Sequence, residues 1–170
     1  RMAVKKMDRW AQAYGLDLLG QVAVLKGELE NARKRFEHSL KLYQEIGDQW
    51  GSTQVLIHLG EMRAASGLDD DVRGLFQEAY ANALKANWIP TIVEVLAAYL
   101  NGSSRIPPET KLAASLACLT HPAAMPHVRQ RVEQLCEKLI SSLSEAEVET
   151  ARALATEKTP QMWAQQIFNQ

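Results

Sequence analysis

The chain has 170 residues, a formal net charge of −1 and 46% apolar residues, enough for one domain with a buried core or a solenoid of roughly three to five helical pairs. That charge balance argues against a nucleic-acid surface spread over the whole domain. The longest apolar run, 92–100, is broken by Glu94 and falls well short of the roughly 20 residues of a membrane span. The amino terminus, Arg1-Met2-Ala3-Val4-Lys5-Lys6, has basic residues with no apolar segment behind them, so it is no signal peptide. A cytoplasmic protein with no membrane contact is expected, and a start on arginine inside a helix suggests an excised fragment of something larger.

Along the first half the same residues return forty positions apart: Asp8 and Asp48, Trp10 and Trp50, Leu19 and Leu59, Gly20 and Gly60, Gly27 and Gly67, Phe36 and Phe76. A fixed period of this length marks a repeat architecture. The second glycine of each copy ends a helix, and Glu28-Leu29-Glu30-Asn31-Ala32 and Leu68-Asp69-Asp70-Asp71-Val72 open another with acidic side chains at its positive end. Each repeat is therefore a helical hairpin. Gly20 and Gly60 allow a facing helix to come close, and Ala32, Phe36, Ser39 and Val72, Phe76, Ala79, spaced four and three apart, form the stripe that answers them. The ring is expected to enter the gap beside the glycine.

Leu19-Gly20, Gly27, Ala32, Phe36 and Ser39, with Leu59-Gly60, Gly67, Val72, Phe76 and Ala79, resemble the tetratricopeptide repeat. The period of forty replaces the usual 34, and no proline closes either copy. Both departures imply longer helices. The stretch Tyr43-Gln44-Glu45-Ile46-Gly47-Asp48-Gln49-Trp50-Gly51 is similar to the linker of a long-repeat variant common in bacterial regulators. In that group the array is typically the carboxy-terminal part of a signal-transduction NTPase or a transcriptional activator of the maltose-regulator type. The resemblance implies an all-α fold: a right-handed superhelix of antiparallel helix pairs, a TPR-like α-solenoid, with a C-terminal helical cap.

A third, degenerate copy starts at Trp88, with Ala98 in the place of Gly60, Ala117 in the place of Ala79, and a loop at 101–108 instead of a turn glycine. Terminal repeats are often atypical because they cap the stack. The expected organisation is repeats over 1–119 (about 1–47, 48–87 and 88–119) and capping helices over 120–170. Pro122 and Pro126 interrupt the chain before a helix from about His127 to Ser141 with Val128, Val132, Leu135 and Leu139 as its apolar stripe. Ser144-Glu145-Ala146-Glu147 reads as a capping box opening a helix to about Glu157, and Thr159-Pro160 as the start of a last short helix carrying Met162, Trp163, Ile167 and Phe168. No segment alternates in the manner of a strand.

No catalytic constellation stands out. Asp69, Asp71 and Gly74 follow the order of a calcium loop, but Arg73 and Tyr80 occupy positions that need oxygen donors; the aspartates read as helix-start residues. Cys118, His121, His127 and Cys136 lack the paired spacing of a zinc site, and both cysteines read as small buried groups in a reducing compartment. His38 and His58 have no partner assignable from sequence, and Ser39 already has a packing role. Arg33-Lys34-Arg35 reads as ordinary surface pairing with Glu30 and Asn31, so nucleic-acid contact is not expected. Neither an enzymatic activity, a cofactor nor a metal is expected.

In tetratricopeptide arrays the first helix of each pair lines the concave groove. Carried over, that resemblance assigns Tyr14, Asp17 and Gln21 to the groove in the first repeat, Gln54, Ile57 and Glu61 in the second, and Glu94 and Asn101 in the third. A protein or peptide segment with basic residues, from a partner or from another domain of the parent chain, would suit so polar and acidic a surface. The alternative is a sensor that binds a small inducer in the groove or between helices, which needs a pocket with apolar walls, expected near Trp50 and Trp88.

Overall fold

Glycine and proline divide this chain into helices. In a computed structural model, which describes residues 2–67 and 72–169 with side chains from residue 7 onward, the described residues are all-helical. The helices are α1 (Met2–Leu25), α2 (Leu29–Ile46), α3 (Gln49–Ala65), α4 (Val72–Lys85), α5 (Ile89–Gly102), α6 (Pro108–Thr120), α7 (Pro126–Ile140), α8 (Glu145–Glu157) and α9 (Pro160–Phe168). None of them is long and apolar enough to cross a membrane. The run Asp69-Asp70-Asp71, read above as opening a helix, lies outside the described residues.

Chain reversal between α2 and α3 takes two residues. Gly47 adopts a left-handed conformation, φ 71°, that a side chain would resist; the Asp48 N–H then donates to the Tyr43 carbonyl at 2.9 Å, which supplies a partner to a helix-end carbonyl. Asp48 in turn caps α3, its carboxylate accepting from the Gly51 N–H at 2.9 Å.

Two compact units divide the chain, Arg1–Asn82 and Ala83–Gln170. In the first, α1 packs on α2, α2 on α3, and α1 touches α3. The predicted close approach is present twice. A Cβ built on Gly20 would lie 2.6 Å from Phe36 Cε1, and one on Gly60 2.8 Å from Phe76 Cε2. Both rings are fully buried, so neither can swing aside into solvent. Ser39, the small residue of the same stripe, is also buried and donates to the Ala13 carbonyl at 2.7 Å, a bond that ties α2 to α1.

The second unit starts its helices with proline. Pro90, Pro108, Pro126 and Pro160 all fall in the first two positions of α5, α6, α7 and α9, where no intrahelical donor is lost. The capping box at Ser144 and Glu147 is formed, with the Ser144 N–H donating to Glu147 Oε2 at 2.8 Å, and Thr159 caps α9. Between α6 and α7, the Arg129 guanidinium donates to the carbonyls of Leu119, His121 and Ala124. The Leu119 carbonyl, in the last turn of α6, would otherwise be an orphan of the helix end. Ten successive residues of α5, Thr91 to Leu100, are buried, as expected of a helix apolar nearly all round.

Residues 88–119, read above as a degenerate third copy, lie within the second unit. The helices of that segment, α5 and α6, pack on one another and on α7, α8 and α9.

Glycine substitution separates close approach from simple helix propensity. Gly60→Leu is expected to lower stability by about 2 kcal/mol or more through overpacking. Gly15 has nothing within 4 Å of its would-be Cβ, so Gly15→Ala should raise stability by about 0.5–1 kcal/mol. Urea unfolding followed by circular dichroism measures both.

Candidate partner-binding face

The residues assigned to a groove fall into two groups. Tyr14 and Asn101 are exposed, and Gln21, Gln54 and Glu61 are half-buried. Asp17, Ile57 and Glu94 are buried, at 6%, 2% and 7% exposure. These last three lie below the surface, two of them as bonded carboxylates and one as an apolar core residue.

Asp17 lies on the same side of α1 as Ala13 and Gly20, which face the core. Its carboxylate accepts from His58 Nδ1 of α3 at 2.8 Å and from Gln21 Nε2 at 3.2 Å. A buried carboxylate is stable only when hydrogen-bonded, and His58 supplies that bond across the helix pair. Ile57 is apolar and goes inside for that reason alone. In the second unit Glu94 repeats Asp17's solution: its Oε1 accepts from the half-exposed His127 Nε2 at 3.1 Å.

The Asp17–His58 bond lies among four of the remaining positions. Tyr14 and Gln21 lie one turn to either side of Asp17 on α1, and Gln54 and Glu61 one turn to either side of His58 on α3. Four of the assigned side chains thus flank one bridged pair. Trp10 extends the face, stacked on Tyr14 with ring centroids 5.3 Å apart and donating from Nε1 to Asp48 at 3.1 Å. Beneath it, burial followed by the nearby Asp17 and Asp48 charges pushes the Tyr43 hydroxyl up to about 12. Glu94 and Asn101 belong to the second unit.

Sequence reasoning missed His58 and Trp10. His58 stood alone because its partner is 41 residues away; the available signal was an aspartate set among the core-facing residues of α1. Of the pairs read in the Arg33 cluster, Lys34 with Glu30 is present at 3.6 Å; Arg33 pairs with Glu30 and Glu37, both at 2.7 Å, and Asn31 donates to Glu28 at 3.1 Å. The Arg33 hydrogen bond holds the Glu30 carboxyl below its ordinary value.

Among the described residues no three His, Cys, Asp or Glu side chains gather as a metal site requires. Cys118 and Cys136 are free and buried. Burial pushes their thiols up to about 12 and about 11, the Cys118 thiol also feeling Cys136 and the Cys136 thiol feeling Glu133. One open depression of about 510 Å³ lies within the second unit, at the ends of α6 and α8 and the start of α9. Leu116, Pro122, Ala155 and Pro160 supply apolar wall, and His121, Arg152 and Lys158 its nitrogen groups. Neither Trp50 nor Trp88 lines it.

Two outcomes follow from this geometry. Asp17→Ala and His58→Ala are each expected to cost about 1–3 kcal/mol, and the double variant less than their sum, with a coupling of about 1 kcal/mol or more in a double-mutant cycle by denaturant melts. Thiol-specific reagent at pH 8 should label Cys118 and Cys136 only on the unfolding timescale, because the thiolate is the reactive form; rapid labelling of the native chain would contradict their burial.

No family model, curated protein or solved structure matches this chain.

Proposed function

We propose that the chain is a non-catalytic interaction or regulatory module built of TPR-like helical pairs, the sensor or scaffold part of a larger bacterial signalling or transcriptional regulator. It binds a protein or peptide segment, from a partner or from another domain of the parent chain, on the first-helix face of its repeats. The observation that carries this reading is the Asp17–His58 bond, which fastens α1 to α3 at 2.8 Å and sets Tyr14, Gln21, Gln54 and Glu61 around it. A hydrogen-bonding rim around an aromatic platform suits an extended segment with amide and basic groups. Trp10 and Tyr14, 42% and 44% exposed and stacked, supply the kind of rigid anchor on which such contacts concentrate.

A second reading, a small-molecule sensor, has its own observation in the depression beside α9. Its volume lies in the range of ligand pockets, roughly 300–1,000 Å³, and its Arg152, Lys158 and His121 outnumber Glu157, which favours an anionic ligand with an apolar body.

The two readings separate in one affinity experiment. Immobilised chain should retain a segment from the source cell's lysate that the Tyr14→Ala, Glu61→Arg variant loses at least tenfold, with both proteins melting alike. Equal retention by the variant would sink the first-helix reading. A retained small acid, lost on Arg152→Ala, would then support the sensor.

A further inference from the structure

The depression at the ends of α6 and α8 and the start of α9 has walls and charges that narrow its ligand to one class. Its apolar lining comes from four segments: Leu116 from α6, Pro122 from the connection to α7, Ala155 from α8 and Pro160 from the first position of α9. Along the chain Arg152 precedes Ala155 by three residues and Lys158 follows it by three. Both line the depression, so a long basic side chain stands to either side of a small apolar one.

Neither cation is firmly engaged elsewhere. Arg152 pairs with Glu149 at 2.7 Å, but the two side chains are 58% and 63% exposed, and an exposed pair one helical turn apart is weak. Lys158 donates to the neutral Gln166 side chain at 2.7 Å and lies over the Trp163 ring, 4.6 Å from its centroid; both contacts leave its charge to be met by an anion. His121 accepts the Ala123 N–H at Nδ1, 3.2 Å away, which puts its own proton on Nε2 and makes it a third donor.

Helix ends leave this balance in place. The negative end of α6 is met by Arg129, which holds the Leu119 and His121 carbonyls, and the negative end of α8 is adjoined, two residues on, by the positive end of α9. Side chains therefore set the sign. Arg152 and Lys158 against Glu157 leave a surplus of one positive charge, which a monoanion neutralises and a phosphate dianion exceeds.

We propose that the depression binds a small monocarboxylic acid with an apolar body, the carboxylate held between Arg152 and Lys158 and the body against Leu116, Ala155 and Pro160. The guanidinium of Arg152 suits this head group because its parallel N–H donors match the two oxygens of a carboxylate. The inference rests on the sensor reading, in which the depression is a ligand site, and adds the head group to it. It is independent of the rim around Asp17 and His58.

The probes are hexanoate and 3-phenylpropionate, each beside its primary amide and the phosphate monoester of the matching alcohol. They are titrated against the full chain labelled with nitrogen-15, and the amide and indole NMR signals are followed. At least one carboxylate is expected to saturate, shifting Ala155, Lys158 and the Trp163 indole, and to bind at least tenfold more tightly than its amide and its phosphate ester. Arg152→Gln should weaken it at least tenfold. Ala155→Phe, which occupies the apolar wall, is the independent second variant and should weaken it as much, with both variants keeping the spectrum of the folded chain. Preference for the phosphate ester, or equal binding of acid and amide, overturns the carboxylate assignment and leaves the ligand site standing. Absence of saturation by every probe up to about 10 mM, or binding that Ala155→Phe leaves unchanged, overturns the assignment together with the sensor reading.

Discussion

Everything in the first unit depends on an aromatic ring lying where a side chain would be. Phe36 against Gly20, Tyr43 against Gly51 and Phe76 against Gly60 each bring a second helix nearer to a first helix than two ordinary side chains allow. Burying a ring of this size contributes about 1.5–3 kcal/mol, and glycine within a helix costs about 1 kcal/mol against alanine. The gain exceeds the cost only when the ring is fully enclosed, as Phe36 and Phe76 are. The two residues therefore act as a pair.

Close approach has a consequence for polar groups on the same helices. With α1 drawn against α2 and α3, Asp17 lies beneath the surface, and its charge is stabilised by hydrogen bonds from His58 and Gln21. The same pairing of a buried acid with a histidine near the surface recurs at Glu94 and His127. In both cases the acid is interior structure and the histidine is the group nearer solvent. The bond that satisfies Asp17 also ties α1 to α3.

The second unit reaches a buried core by another route. Prolines start four of its helices, Arg129 satisfies carbonyls at the α6–α7 junction, and α5 is buried through ten successive residues. At the place of Gly60 the third copy carries Ala98. Within this unit α5 and α6 pack on one another and among α7, α8 and α9.

Local chemistry was legible residue by residue. The helix stops at Gly27 and Gly67, the capping box at Ser144 and Glu147, the cap at Thr159 and the ring beside each repeated glycine all follow from the conformational range, hydrogen-bonding reach or volume of neighbouring side chains. The forty-residue period carried this information into the packing of α1 on α2 and α3 on α4. Burial of Asp17, Ile57 and Glu94 was decided only by the tertiary structure. A carboxylate on a helix reads as solvent-facing until a histidine 41 or 33 residues away arrives to bond it. Leu19 and Leu59 are the same residue in the same repeat position, and only the presence of α2 over Leu59 makes it core.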